Sequence, residues 1–397
     1  MPIEPASISA YTATTAVGHG LAAHLEPLAA MRPVLRPGDM AEVSAPCWVG
    51  VVDGLDDNPL GGDLAAFDCR NNRLAALALE GDGFAEQVAA ARARVGASRI
   101  GLFLGTSTSG IRHSEHCYQQ HFEQGTPGLG EDLRFATTHA YVSIVDFCRR
   151  RLDLEGPALV VSTACSSGAK TFAAAHRALS AGVCDAAVVG GVDTLCATTL
   201  MGFHALGLLS PTPCAPWSQG RSGISIGEGA AFALLELKRK GDDHLALLGY
   251  GESDDAYHIA SPHPEGAGAA LAMRAALETA DLAATDIDYV NLHGTGTPAN
   301  DQSEDQAIST VFGDSVPVSA TKGWTGHTLG ASGAVEAVLS LLSIEAGLLP
   351  GTLNTERLDP ALSAPLIRRS QYRSIDRVLS NSFGFGGNNC VLALGRT

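Results

Sequence analysis

The feature that most constrains the fold of this chain is an alternation. Short aliphatic runs such as Ile100-Gly101-Leu102-Phe103-Leu104 and Ala186-Ala187-Val188-Val189 read as buried strands, and they alternate with Ala- and Leu-rich stretches of helical character such as Ala173–Leu179 and Ala269–Ala280. Such an order predicts an α/β layered fold, with glycine turns such as Gly190-Gly191 at the strand ends. Two segments, Leu159 through Cys165 to Leu179 and Val316 through His327 to Leu342, repeat one pattern of strand, small polar turn and helix. They point to an internal duplication into halves 1–240 and 241–397, divided at the charged stretch Lys238-Arg239-Lys240-Gly241-Asp242-Asp243.

Apolar residues make up 45% of the 397 positions and charged residues 17%, enough for a large core. The formal charge of −16 argues against nucleic acid or an anionic membrane as partner, so an acidic partner must find a local basic patch. Ala331–Leu349 is the most apolar stretch, but Glu336 and Glu345 interrupt it, which predicts a buried helix rather than a membrane span. The Met1 end shows no basic region followed by an apolar one, and the cytoplasm is the expected compartment. Nine cysteines without a C-x-x-C pair predict neither a disulfide framework nor a zinc site. His113, His116, Cys117 and His121 crowd together, yet no second ligand pair comes after them at zinc spacing, and no metal is expected.

One cysteine stands apart. In Val160-Val161-Ser162-Thr163-Ala164-Cys165-Ser166-Ser167-Gly168 a strand ends just before Cys165 and a helix begins just after it. A thiol at a helix N-terminus feels the positive end of the dipole, which favours the thiolate, and a sharp turn leaves backbone N–H groups free for an oxyanion. Two histidines sit at comparable strand ends, His293 in Asn291-Leu292-His293-Gly294-Thr295-Gly296-Thr297-Pro298 and His327 in Lys322-Gly323-Trp324-Thr325-Gly326-His327. In Asn381-Ser382-Phe383-Gly384-Phe385-Gly386-Gly387-Asn388-Asn389 the glycines permit close backbone approach beside two aromatic rings.

Together T-A-C-S-S-G, H-G-T-G-T-P-x-N-D, K-x-x-x-G-H-x-x-G-A-x-G and N-S-F-G-F-G-G-x-N resemble the motifs of β-ketoacyl-[acyl-carrier-protein] synthases I and II and of polyketide ketosynthases, from about Gly101 to the C-terminus. The resemblance implies a thiolase-type fold, two βαβαβ-based halves in a five-layer αβαβα arrangement, as a homodimer or as a heterodimer with a chain-length-factor subunit. It implies an acyltransferase that moves an acyl group from acyl-carrier protein to Cys165 and condenses it decarboxylatively with a malonyl thioester, without a cofactor. The N–H groups of Cys165 and Phe385 would hold the oxyanion, and His293 and His327 the enolate. Lys322, paired with Glu336, would organise the histidines, and Thr295 and Thr297 would touch the pantetheine arm or the malonyl carboxylate. Thr108, Phe203 and Phe383 are the candidates for lining the substrate pocket, and Arg70, Arg73 and Arg134 for docking the carrier protein.

Arg70-Asn71-Asn72-Arg73, Leu104–Gly110 and His258–Gly266 look like the ketosynthases of aryl polyene pigment clusters. The chain departs from the family at Trp217-Ser218, where Phe-Asp is usual, which leaves Arg221 without one expected acid. A thiolase would carry a C-terminal Cys-Gly pair, whereas Cys390 precedes Val391; a chain-initiating synthase would carry Asn in place of His327. A non-catalytic chain-length-factor-like subunit would lack the nucleophile that Cys165 supplies.

Overall fold

The computed structural model describes residues 1–40, 43–125, 128–130, 132–237 and 244–397; the expected boundary between halves falls at residues 238–243, outside the described residues. Ten strands make up the main path of the central sheet: β1 (Ala6–Thr15), β2 (Ile100–Gly105), β3 (Ala158–Val161), β4 (Ala186–Asp193), β5 (Gly229–Leu237), β6 (Leu245–Asp254), β7 (Tyr289–Asn291), β8 (Val318–Ser319), β9 (Arg377–Phe383) and β10 (Asn388–Arg396). Their spatial order is β8-β7-β9-β10-β6-β1-β5-β4-β2-β3.

That order is a duplication. In the first half β2 pairs in parallel with β3 and β4, β4 runs antiparallel to β5, and β5 antiparallel to β1. In the second half β7 pairs in parallel with β8 and β9, β9 runs antiparallel to β10, and β10 antiparallel to β6. The halves meet where β1 and β6 pair through Ala6↔Leu247 and Ser7↔Ala246.

The helices that flank this sheet or reach the site are α1 (Arg70–Leu79), α2 (Ile111–Gln124), α3 (Val142–Arg151), α4 (Ser167–Ser180), α5 (Ala197–Ala205), α6 (Ala267–Ala280), α7 (Pro298–Phe312) and α8 (Ser332–Ala346). Helices α4 and α8 pack on each other between the two half-sheets, sharing a core that includes Phe172, Val189, Val335, Leu339 and Leu392. The outer faces are covered by α1 and α3 on one side and by α6 and α7 on the other, each over its own apolar cluster. The result is the five-layer thiolase-type arrangement, and it explains the apolar run near residue 340. Residues Ser332 to Ile344 of α8 are all buried because the helix has sheet on both sides, as expected of a core helix.

The structure corrects one local expectation. Gly190 and Gly191 are not a turn at the end of a strand but lie inside β4, fully buried. They are glycine because neighbours leave no room: a Cβ on Gly190 would stand 2.3 Å from Ala231 O, and one on Gly191 2.8 Å from Ala331 Cα. The central layer is thus packed backbone against backbone. Gly191→Ala is expected to lower the unfolding free energy by about 1–3 kcal/mol in a denaturant titration, since neither the strand nor the helix start can move aside.

Candidate active site

Cys165 and His327 come from connections that the two halves place at corresponding positions, and His293 from the loop after β7. Strand β3 ends at Val161 and α4 begins at Ser167, so Cys165 stands at the strand-to-helix turn, preceded by Ala164 at φ 52°. His327 lies in the corresponding connection between β8 and α8, just after a short helix at Lys322–Thr325, with Leu329 at φ 51° two residues later. A non-glycine residue in the left-handed region costs roughly 1–2 kcal/mol, so each reacting side chain is flanked by strain that the surrounding fold must hold. His293 comes just after β7, where Glu304 of α7 accepts from the N–H groups of His293 and Gly294, both at 2.8 Å. Helix α7 starts at that point because Thr297 caps it, accepting from the N–H of Asn300, with Pro298 in the first turn.

The side chains converge. His327 Nε2 lies 3.0 Å from Cys165 Sγ, and the His293 and His327 rings meet edge to face at 5.3 Å. Lys322, only 1% exposed, reaches His293 Nδ1 at 3.2 Å and His293 O at 2.5 Å and contacts the Glu336 carboxylate directly. An ammonium has only donors, so Nδ1 of His293 must accept and the ring carries its proton on Nε2. Burial, with Lys322 and then His327 adding to it, holds His293 well below the usual histidine range, and burial with Lys322 does the same to His327; both rings are neutral. Glu336 is pushed up to about 7 by burial against the pull of Lys322.

For Cys165 burial prevails over the helix end. The thiol is pushed up to about 11, although Lys322 and the N–H of Phe385 both favour the thiolate. The resting group is therefore a thiol that donates to His327 Nε2, and not the thiolate that its place at a helix start suggested. Phe385 comes this close because Gly384 lies against the nucleophile turn, where a Cβ would stand 2.9 Å from Thr163 O.

A cleft opens onto Cys165, His293 and His327. Thr295 and Thr297 line it, their hydroxyls 3.0 Å apart, as do Phe203, Phe383 and Phe385. Phe203 and Phe385 meet at a tilt with centroids 5.6 Å apart, and Phe383 meets His293 edge to face at 5.8 Å.

Other candidates lie elsewhere. Thr108 is fully buried with its hydroxyl on Asp193, so it is held by that acid instead of facing the cleft. Arg70 is inside the protein, paired with Glu228 at 2.6 Å, and Arg73 is paired with Asp68, so neither offers a free cation to a partner; the exposed Asp56 also contacts Arg70. Arg134 is half-buried and donates to Ala65 O. His113 Nε2 sits 2.8 Å from Asp132 O. Among the described residues the group with metal-compatible spacing is Cys165, His293 and His327, its ligand atoms within 4.8 Å of one another.

Three acids received no role from the sequence, although Asp301 closes the H-G-T-G-T-P-x-N-D motif. Asp193, Asp301 and Glu304 are all fully buried or nearly so. Asp301 accepts from Trp217 N at 2.9 Å and pairs with Arg221 at 3.3 Å, so with Asp359 it supplies the partners that the Trp217-Ser218 departure seemed to remove. Burial raises Asp301 to about 6 and Glu304 to about 7. The i, i+3 spacing of Asp301 and Glu304 at the start of α7 was the available signal.

The family models for the N-terminal and C-terminal domains of β-ketoacyl synthase match residues 72–241 and 245–356. The chain belongs to the β-ketoacyl synthase family. It is 36% identical over 318 residues to 3-oxoacyl-[acyl-carrier-protein] synthase 2 of Coxiella burnetii, covering 76% of each. A ketosynthase from Xenorhabdus doucetiae, solved in complex with its chain length factor, superposes with a TM-score of 0.91 at 38% identity over 99% of this chain and 98% of that one. The ishigamide ketosynthase/chain length factor superposes at 0.88 with 27% identity over 99% of both. The family makes this chain a condensing acyltransferase, and the chain-length-factor-like alternative is not favoured.

Alkylation of Cys165 by iodoacetamide reports the thiol directly. Its rate in this β-ketoacyl synthase is expected to keep rising toward pH about 11. Lys322→Met should move the inflection higher, because the ammonium that favours the thiolate is gone. An inflection at or below neutral pH would contradict the dominance of burial.

Proposed function

We propose that the chain is a 3-oxoacyl-[acyl-carrier-protein] synthase whose nucleophile is Cys165. The observation that carries this reading is the contact of His327 Nε2 with Cys165 Sγ at 3.0 Å, beside a His293 fixed as an Nε2–H donor and facing the same cleft. His327 takes the thiol proton as sulfur attacks the acyl thioester, and passes it to the departing pantetheine thiolate. The N–H groups of Cys165 and Phe385 hold the oxyanion. A malonyl thioester then enters along Thr295 and Thr297. Its carboxylate leaves as carbon dioxide, and the electron pair passes into an enolate whose oxygen the Nε2–H of His293 holds, since His327 Nε2 has already passed its proton on. The carbanion attacks the Cys165 thioester, the carbon–sulfur bond breaks with Cys165 leaving as a thiolate that regains its proton from solvent through His327, and a 3-oxoacyl thioester longer by two carbons departs. Lys322, with Glu336, keeps His293 a donor. Every step is proton transfer, acyl transfer or decarboxylation, so the scheme uses neither metal nor redox cofactor.

The acyl group in this reading is an aryl or polyene chain, and the protein works in the cytoplasm with acyl-carrier protein and a second subunit of the chain-length-factor type. Two features support the paired assembly. The likeness to ketosynthases solved with chain length factors extends over 99% of the chain. Strand β3 is also an unpaired edge of the sheet, with Leu159 exposed, and Tyr118, Phe122, Phe135 and Tyr141 are exposed on segments nearby in sequence. A second copy of this chain could cover the same edge.

Intact-protein mass spectrometry with a panel of saturated, polyenoic and aryl acyl-carrier-protein thioesters tests the reading, with and without a chain-length-factor subunit. The expected result is a single acyl adduct, absent from Cys165→Ala and largest for the polyenoic or aryl donors. No adduct under either condition would overturn it; an adduct formed best from saturated donors, without the second subunit, would replace the pigment reading with fatty acid synthesis by a homodimer.

A further inference from the structure

Asp193 ends β4, is fully buried, and has no part in the condensation chemistry. Its carboxylate is ringed by donors. Oδ1 accepts from Thr106 Oγ1 at 2.7 Å, Thr108 N at 2.8 Å and Thr108 Oγ1 at 2.8 Å. Oδ2 accepts from Ser107 N at 3.0 Å and from Gly330 N at 2.5 Å. Thr106, Ser107 and Thr108 form the loop after β2 in the first half, whereas Gly330 lies three residues beyond His327 in the second. One carboxylate therefore bridges the two halves directly behind the catalytic pair.

Gly191 of β4 and Gly330 approach with no side chain between them, and a Cβ on Gly330 would stand 2.7 Å from Ser107 Oγ and 2.8 Å from Asp193 Oδ2. Leu329, between His327 and Gly330, holds φ 51° and so depends on anchors on either side. On one side His327 is tied by backbone bonds to Ser225 and Gly227; on the other the anchor is the Gly330 N–H on Asp193.

We propose that Asp193 is a positioning residue for the condensation, which holds the strained loop behind His327 so that His327 Nε2 stays on Cys165 Sγ. The inference rests on Cys165 being the nucleophile and His327 its proton acceptor. A carboxylate is required because all five donors need an acceptor, and an amide would turn an N–H group toward one of them. The charge has a second consequence, since the Asp193 carboxylate opposes ionisation of Cys165.

The test compares Asp193→Asn and Gly330→Ala with the wild type in the full chain. Gly330→Ala pushes the loop off the carboxylate but keeps the charge. Both variants are expected to lose about tenfold or more in kcat for condensation, with KM for the carrier-linked substrates within about twofold. Only Asp193→Asn should also shift the pH inflection of Cys165 alkylation downward, a change that loosened packing alone would not produce. Wild-type kcat in either folded variant overturns the proposal, as does an unmoved alkylation profile in Asp193→Asn. If Asp193→Asn does not fold, kcat of Gly330→Ala decides. A wild type that forms no Cys165 adduct would instead overturn the assignment of the nucleophile, and that outcome is recognisable before any variant is made.

Discussion

The site depends on one buried charge pair. Lys322 and Glu336 meet in the central layer at 1% and 2% side-chain exposure, where an unpaired charge would be costly. Taking two charges from water is repaid only with good geometry and further hydrogen bonds, and removing one partner of such a pair typically costs on the order of 3–5 kcal/mol. Here the ammonium also bonds the ring and the carbonyl of His293, so the pair fixes the tautomer of that ring as well as its place. Its field and the burial around it keep both histidines neutral. A site that must steady an enolate is thereby given, in the Nε2–H of His293, a hydrogen-bond donor that does not lose its proton to solvent.

The duplicated fold places these groups. Each half delivers a loop to the N-terminal end of its central helix, α4 or α8, and the two helices pack against each other. Cys165 arrives from the first half and His327 from the second, so the 3.0 Å contact between them is a contact between halves. His293, Lys322 and Glu336 all belong to the second half. The nucleophile and its organising network are thus separate pieces joined across a junction where Gly168, Gly191 and Gly330 allow backbones to touch.

Much of this was legible in the sequence because it is local. The turn around Cys165, His293 at its strand end and the repeated strand-to-helix pattern reappear in place, whereas a short helix, Lys322–Thr325, separates His327 from its strand; the motifs name the Lys322–Glu336 pair that the structure brings together. What the sequence hid depends on distant neighbours. Gly190-Gly191 reads as a turn until Ala231 and Ala331 are seen to press on it. Arg70 looks like a surface cation until Glu228, 158 residues on, is found beside it. The Cys165 thiol looks activated by its helix until burial is taken into account, and Asp193, Asp301 and Glu304 look like ordinary acids because their donors come from other elements. Local pattern carries position; ionisation and commitment of side chains come from tertiary packing.

Most of the chemistry hangs on buried Lys322 making His293 a neutral donor through Nε2. Nitrogen-15 chemical shifts of the His293 ring in histidine-labelled protein, assigned with His293→Gln, measure this directly. The expected result is a neutral ring with its proton on Nε2 and an unprotonated Nδ1 through the neutral pH range. A ring protonated on Nδ1, or on both nitrogens, would contradict it.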